Sequence, residues 1–283
     1  YQKIYLKNKG LIMATNKQKI SGYKNVYIVL STKGGEGKTY LSLQILPLLF
    51  LDKNINIFEV DNNNNSKKMI ENSKKISFKS LKIDDGVDAI DEIEFNNMLS
   101  QDDCINIIDA GGGDDTLKLL FILKEKELFG ITYVIPLSNS ISNVDNAIQT
   151  IDSILSFDKD AKINLILNKC PSFDFEDIKL KFKSFFGNED FGLVSRYDEF
   201  ENKIQNLNYV TETDLPDIIS SKHQYALVDA YIKEKIIKEN FDEVKSEWEK
   251  KGKEEFLKAK KLNRINEEIY YYCNTIISYF KLY

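Results

Sequence analysis

A glycine-rich loop at residues 33–39, set between an apolar run and a helical pattern, constrains this chain more than any other feature. The loop reads Lys-Gly-Gly-Glu-Gly-Lys-Thr and follows the β-branched run Val26–Leu30. Glycines let backbone N–H groups curve around a phosphate, and the helix that follows points its positive end at the same anion. Lys38 adds a charge for the β- and γ-phosphates, and the Thr39 hydroxyl is a ligand for Mg²⁺. The sequence therefore predicts a nucleotide-binding loop.

Short apolar runs alternate with longer segments of helical period along most of the chain. The predicted strands are residues 26–30, 55–60, 104–108, 131–135, 163–167 and 191–194. The predicted helices are residues 39–51, 86–99, 115–129, 141–156 and 174–186. Buried β-branched strands that alternate with helices are typical of right-handed crossover units. We therefore expect an α/β fold with a doubly wound, mainly parallel sheet of the P-loop NTPase type.

The last part of the chain has a different pattern. Residues 222–283 contain no strand-like run and no Pro, and apolar residues recur at helical spacing on both sides of Gly252. We expect a helical C-terminal extension packed on the same domain. The predicted organisation is a basic N-terminal arm over residues 1–24, a P-loop domain over 25–221 and the extension over 222–283.

Composition and charge exclude several classes of protein. No apolar run approaches the roughly 18 residues of a membrane-spanning helix, and no secretory signal is readable. Cys104, Cys170 and Cys273 are odd in number and far apart, as expected of reduced thiols in a cytoplasmic protein. His223 is the only histidine, which argues against a histidine-based metal site or a Ser/His/Asp triad.

The charge is unevenly distributed. Residues 1–24 hold six lysines and no acid, so the formal net charge of −5 combines +6 in this arm with −11 in the remainder. A basic arm can bind phosphate backbones or anionic lipid, and a solvated tail is the alternative.

Carboxylates follow two further strands, at the sheet edge where parallel α/β proteins hold their ligands. Glu59 and Asp61 alternate onto one face at the end of the second strand. Asp109 follows the apolar run of the next strand and precedes Gly111–Gly113, which is a Walker B pattern. Such an Asp holds Mg²⁺ through water, and the glycines let backbone approach the γ-phosphate. A nucleotide and Mg²⁺ are therefore expected in this site.

The Lys-Gly-Gly-x-Gly-Lys-Thr loop resembles the deviant Walker A motif of the ParA/MinD family of P-loop ATPases. The resemblance implies that Lys33 is the signature lysine, which reaches across a dimer interface to the partner's nucleotide, so that ATP joins two copies in a homodimer. It implies catalytic roles for Lys33, Lys38 and Asp61, with Asp61 positioning the attacking water. The implied magnesium shell is Thr39, Glu59 and Asp109. The implied nucleotide contacts are Gly34, Gly35, Glu36, Gly37, Lys38, Thr39, Tyr40, Gly113 and Asn168.

The chain departs from the family pattern at two of these positions. Tyr40 stands where the family usually has a second Thr or Ser, which puts a contact to the α-phosphate in doubt. Glu59 is longer than the usual Asp. Asn168-Lys169 matches the pair whose Asn recognises adenine in the family.

The resemblance implies a slow ATPase similar to ParA partition proteins, whose ATP-bound dimers hold nucleoid DNA non-specifically until a centromere-binding partner stimulates hydrolysis. The candidate basic surfaces are the arm and Lys67, Lys68, Lys74, Lys75, Lys79 and Lys82. A role in plasmid conjugation or mobilisation is a near alternative, and a solvated face is the other interpretation of these lysines.

Two further classes stay open at this stage. Residues 262–283 have the apolar spacing of an amphipathic helix, as in MinD-like membrane positioning, although Glu267 and Glu268 and the scarcity of flanking cations favour a core-packing helix. Bacterial tyrosine kinases are related P-loop proteins with a C-terminal tyrosine cluster. The candidates here are Tyr270, Tyr271, Tyr272, Tyr279 and Tyr283.

Overall fold

Seven parallel strands form the centre of the part of the chain that the structure describes. The structure is a computed structural model and describes residues 23, 25–61, 66–82, 90–92 and 103–282. The strands lie in the order β3-β2-β4-β1-β5-β6-β7, and every pairing is parallel. They are β1 (Val26–Val29), β2 (Asn54–Val60), β3 (Ile76–Leu81), β4 (Cys104–Ala110), β5 (Thr132–Leu137), β6 (Lys162–Cys170) and β7 (Asn206–Thr211). This sheet confirms the predicted fold class.

Helices connect the strands and cover both faces of the sheet. The first helical segment, α1, is an α-helix over Lys38–Tyr40, a π-helical turn over Leu41–Ile45 and a 3₁₀ turn over Leu46–Leu49. Further 3₁₀ turns lie at Ser66–Met69 and Glu189–Phe191. The remaining helices are α2 (Asp114–Glu125), α3 (Ile141–Phe157), α4 (Phe175–Lys181), α5 (Lys183–Phe186), α6 (Asp198–Glu201), α7 (Leu215–His223), α8 (Leu227–Glu239), α9 (Phe241–Lys250) and α10 (Lys253–Tyr279).

The two sheet faces carry separate hydrophobic cores, and β1 contributes to both. Val26 and Ile28 face the core that α2 and α3 cover, whereas Tyr27 and Val29 face the core that contains α1, α8 and α10. This alternation follows from the period of two along a strand. Because helices cover both faces, the central strands are apolar on both sides, which is why they were readable as continuous apolar runs.

The sequence prediction was wrong or incomplete in several segments. Residues 191–194 form no strand; the chain there has a 3₁₀ turn and an isolated bridge between Asn188 and Leu193. Strands β3 and β7 were missed because both are edge strands rich in Ser, Asn or Lys. The predicted 86–99 helix lies largely outside the described residues, as does the 1–24 arm.

The C-terminal segment is helical, as predicted, but has two more breaks, one of them between α7 and α8. Gly252, with a φ of 92°, separates α9 from α10 at the predicted position. A second break at Asn240 separates α8 from α9. The predicted domain boundary at residue 222 falls inside α7, and the division into domains stays a prediction. Within the described part of the chain, no helix has the length and apolarity needed to cross a bilayer.

Glu234, on α8, is a buried carboxylate between α8 and α10. It is only 1% exposed, and its oxygens make no well-formed hydrogen bond within the described residues, although the Asn266 side chain lies near enough to favour the charged form. Burial raises the pKa of Glu234; Lys238 opposes this shift, and Glu267 adds to it. A carboxyl with a raised pKa in the folded state supports folding at low pH, and this contribution is lost as the pH rises through the folded-state pKa.

We expect Glu234→Gln to raise the free energy of unfolding by about 1 kcal/mol at neutral pH, because it removes the cost of a buried charge. The gain should shrink as the pH falls towards about 4.3, the pKa of an exposed glutamate. Urea unfolding at the two pH values measures this. Glu239→Gln, at an exposed position on the same helix, is the matched control and should change little. A variant less stable than the parent protein at neutral pH would contradict the prediction.

Candidate nucleotide-binding site

A cavity of about 490 Å³ opens at the carboxyl edge of the sheet, where β1, β2, β4 and β6 end. Every residue type that the phosphate-site prediction required is present in its wall. The lining residues are Gly34, Gly35, Gly37, Lys38, Thr39, Tyr40, Glu59, Asp61, Asp109, Ala110, Gly112 and Lys169. The structure thus brings the loop, both acidic segments and the end of β6 into one site. Among the predicted site residues, Lys33, Glu36, Gly113 and Asn168 lie outside this lining.

The loop depends on glycine conformation at two positions. Gly35 and Gly37 have φ values of 80° and 94°, in the left-handed region that disfavours side chains. Gly37 also lies close to Asn168, since a Cβ built on Gly37 would be 2.0 Å from Asn168 Nδ2. Asn168 Nδ2 in turn donates to the Glu36 carbonyl at 2.8 Å. Both the backbone conformation and the space around the loop therefore require glycine at position 37.

Two contacts attach the loop to its surroundings. The buried Glu36 carboxylate accepts hydrogen bonds from the Ser138 backbone N–H at 3.0 Å and from its hydroxyl at 2.5 Å, just beyond β5. On the other side, Gly112 lies against Gly34, with 3.3 Å between a Cβ built on Gly112 and the Gly34 Cα. The glycine run after β4 thus packs directly on the phosphate loop. Ser138 was not identified from the sequence.

The two lysines of the loop occupy different environments. Lys38 is buried in the cavity, and its Nζ donates to the Lys33 carbonyl at 3.2 Å. Burial lowers the pKa of Lys38, while the nearby Asp109 and Asp61 carboxylates act to raise it. Lys33 points away from this cavity, and its Nζ donates to Asn143 Oδ1 at 2.5 Å at the start of α3. The Lys33 side chain therefore makes its contact outside the cavity that Lys38 occupies.

Asp109 is a buried acid of the site. It is 3% exposed, and its Oδ1 has no hydrogen-bond partner within the described residues. Burial raises the pKa of Asp109 to about 7, although hydrogen bonds from Thr39 and Ser42 act in the opposite direction. Glu59, its register partner on β2, raises the pKa further. A buried acceptor oxygen beside a hydroxyl ligand suits the water shell of a hard cation.

The other two predicted acids are placed differently. Asp61 lines the cavity just beyond β2. Glu59 also lines it, but its Oε2 accepts from the Ser80 hydroxyl at 2.7 Å and its Oε1 from the Ser66 N–H at 3.3 Å. Glu59 therefore attaches β2 to the neighbouring strand β3. Its predicted role in the magnesium shell stays a prediction.

Two predicted nucleotide contacts are engaged within the protein. The Asn168 amide is buried, with its Nδ2 bonded to Glu36 as above and its Oδ1 accepting from the Lys169 N–H at 2.9 Å. The Tyr40 hydroxyl lies 2.9 Å from the Tyr272 hydroxyl of α10, although Tyr40 also lines the cavity. Lys169 is exposed in the cavity wall, with a φ of 60°. Sequence reasoning chose Asn168 and passed over Lys169, although both lie near the end of β6.

No protein-family model matches the chain, and no curated protein matches it. Among solved structures, MinD from Aquifex aeolicus matches at 18% identity and a TM-score of 0.45, with 70% of this chain and 86% of that chain covered. An ATP complex of McdA from Cyanothece matches at 12% identity and a TM-score of 0.42, covering 93% of this chain and 100% of that chain. A plasmid partition protein from Borrelia burgdorferi matches at 12% identity and a TM-score of 0.38, covering 75% and 99%.

All three matches are distant, with TM-scores of 0.45, 0.42 and 0.38. At identities of 12 to 18%, the activity of this chain has to be argued from the residues of the cavity.

We expect Gly37→Ala to abolish nucleotide binding and to destabilise the protein more than a left-handed alanine alone, which costs about 1–2 kcal/mol. The extra cost comes from the contact with Asn168. Gly130→Ala is the matched control, because Gly130 has a φ of 74° but open space around its Cβ position. Thermal unfolding and titration with ATP measure both effects.

The double variant Gly37→Ala/Asn168→Ala isolates the contact. It should be more stable than the sum of the two single changes predicts, because truncating Asn168 removes the clash. Strictly additive losses would show that the contact is not the cause.

Proposed function

We propose that this chain is a magnesium-dependent ATPase that binds ATP in the cavity at the carboxyl edge of its sheet. The observation that carries the proposal is that one cavity is lined by the glycine loop, Lys38, Thr39 and Asp109. Backbone N–H groups and Lys38 supply the charge that a triphosphate needs, and a helix begins at the same point. The combination matches phosphoryl transfer, in which positioning and charge stabilisation matter more than a strong base.

The residues present fit a bound Mg²⁺. The Thr39 hydroxyl is available as a ligand, and the buried Asp109 oxygen that lacks a partner among the described residues suits an ordered water of the metal shell. When bound, the cation would neutralise phosphate charge. Asp61, in the cavity wall, is the candidate for orienting the attacking water.

The proposed working form is an ATP-dependent homodimer. Lys33 supports this, because it is the second cation of the loop and its ammonium group lies outside its own cavity, at the start of α3. In this proposal Lys33 contacts the nucleotide of the partner copy. ATP then acts as the ligand that joins the two copies, and hydrolysis separates them.

Non-specific DNA is the proposed scaffold for the dimer. Lysines around the edge strand β3 and the turn before it support this proposal. Those with exposed side chains are Lys67, Lys68, Lys74, Lys79 and Lys82; Lys75 is half-buried. Lys79 forms an ion pair with Glu92, and the others add positive charge at the same edge. A clustered set of this kind binds phosphate backbones by releasing counterions. An adaptor protein that stimulates hydrolysis, and partition of DNA as the outcome, complete the proposal.

The packing of α10 argues against the two other classes. Ile269, Ile276 and Phe280, in the apolar stripe proposed for lipid, are buried against α1. The tyrosines of a kinase-type tail instead lie on a folded helix, where Tyr270 stacks on Tyr231 with 5.3 Å between ring centroids. Tyr283 lies outside the described residues.

Steady-state phosphate release tests the enzyme proposal. Lys38→Ala should reduce the rate to background, because the variant loses the charge that holds the β- and γ-phosphates. Lys235→Ala, at an exposed position on α8, is the control and should retain the parent rate. Equal rates in the parent protein and Lys38→Ala would sink the enzyme proposal.

DNA binding by Asp61→Ala, chosen to trap the ATP-bound dimer, tests the scaffold. Binding should require ATP and Mg²⁺, show no sequence preference and fall steeply with salt. Adding Lys67→Ala and Lys68→Ala should weaken binding and lower the salt slope by about 2. The same pair of changes at the exposed Lys250 and Lys251 should leave both unchanged. A dimer that binds ATP but not DNA would overturn this part of the proposal.

A further inference from the structure

The helix that follows the phosphate loop is held by the C-terminal helices through polar contacts as well as apolar packing. Gln44 on α1 is buried, and its Oε1 accepts from the Leu227 N–H at 2.8 Å at the start of α8. The apolar residues of α1 share one core with those of α8 and α10. Movement of α1 would therefore disturb the C-terminal helices directly.

The contact nearest to the nucleotide cavity is the hydroxyl pair of Tyr40 and Tyr272. Tyr40 directly follows Thr39, lines the cavity and lies 2.9 Å from Tyr272 Oη on α10. Tyr272 also contacts the Phe173 ring beyond β6, with 6.4 Å between centroids, and is hydrogen-bonded to Thr211 at the end of β7. One tyrosine of α10 thus joins the first turn after the phosphate loop to the ends of two strands.

The backbone beyond Tyr40 departs from a regular α-helix. A π-helical turn covers Leu41–Ile45, and such turns are frequent at functional sites. Burial of the pair raises the pKa of Tyr40, and raises that of Tyr272 to about 12, so both hydroxyls stay protonated at neutral pH. The contact is therefore a neutral hydrogen bond that persists over the physiological pH range.

We propose that the Tyr40–Tyr272 hydroxyl pair is a positioning contact that couples nucleotide binding at the loop to the packing of α10. The inference rests on the proposed nucleotide-binding function. An occupant of the cavity would lie beside Tyr40, and this pair is the contact nearest to the cavity through which a change in the first turn of α1 would reach α10. Coupling between two sites is reciprocal, so a partner that shifts α10 changes nucleotide affinity by the same factor.

Titration of the full chain with ATP and Mg²⁺ tests the coupling through the loss of single hydroxyls. Tyr272→Phe and Tyr40→Phe should each weaken binding on the order of fivefold, and the double variant should lose no more than either single change. Tyr231→Phe is the matched control. It removes a hydroxyl that donates to Asn274 Oδ1 at 2.9 Å between α8 and α10, away from the loop, and should leave ATP affinity unchanged.

Hydrogen exchange gives a second test, because loss of a merely structural contact would not change the protection that ATP gives to the α10 amides. In the parent protein, ATP should slow exchange of the α10 amides, and this ATP-dependent protection should be lost in Tyr272→Phe. Thermal unfolding without nucleotide shows whether Tyr272→Phe is folded. If it is not, the ATP-dependent protection of α10 is measured in Tyr40→Phe instead. Equal effects of Tyr272→Phe and Tyr231→Phe, or additive losses in the double variant, would overturn the coupling.

The controls separate this inference from the proposed function. If the parent protein binds ATP, Lys38→Ala does not and Tyr272→Phe binds as the parent does, only the coupling fails. If the parent and Lys38→Ala both fail to bind ATP, the proposed function fails and the coupling fails with it.

Discussion

The close packing of the phosphate loop against its neighbours at the carboxyl edge of the sheet is the constraint on which the rest of this structure depends. A phosphate can be surrounded by N–H groups only where side chains are absent, and here Gly37 lies against Asn168 while Gly112 lies against Gly34. Both approaches depend on the parallel sheet: it pairs Val29, the last residue of β1, with Asp109 near the end of β4, and β6 runs further, so that Asn168 reaches the loop. The order of the strands is thus the condition that turns separate motifs into one cavity.

That geometry also explains the electrostatics of the cavity. Lys38 and Asp109 both lose solvation, which lowers the pKa of the amine and raises that of the carboxyl, and each partly compensates the other by its charge. An Asp109 oxygen still lacks a partner among the described residues, so the site without ligand carries an unmet polar group. A ligand that supplies positive charge and hydrogen bonds at this point would relieve that cost. Ligand binding would then stabilise the fold by linkage.

The sequence predicted those parts of the structure in which a single physical requirement determines the residue type. Val26–Leu30 was readable as a buried strand because both of its faces are apolar, and Gly37 because only glycine fits its φ and its neighbour. The edge strands β3 and β7 were not predicted, because their polar side chains follow from partial exposure and cross-strand pairing. An example is Asn206, whose Nδ2 donates to Asn164 Oδ1 at 2.9 Å. No local pattern in the sequence encodes such a pairing.

Tyr40 is the residue at which local reasoning reached its limit. Its position in the motif suggested a lost phosphate contact, and nothing near it in the sequence points to Tyr272, 232 residues further along the chain. The tyrosines of α10 looked like a cluster of one kind, yet Tyr272 bonds to Tyr40, Tyr270 stacks on Tyr231 and Tyr271 is 63% exposed. Because the α10 face that carries Ile269 and Ile276 completes the core around α1, α8 and α10 belong to the same hydrophobic core as the helix that follows the glycine loop. A replacement at position 40 is therefore understood only together with the helix that covers it.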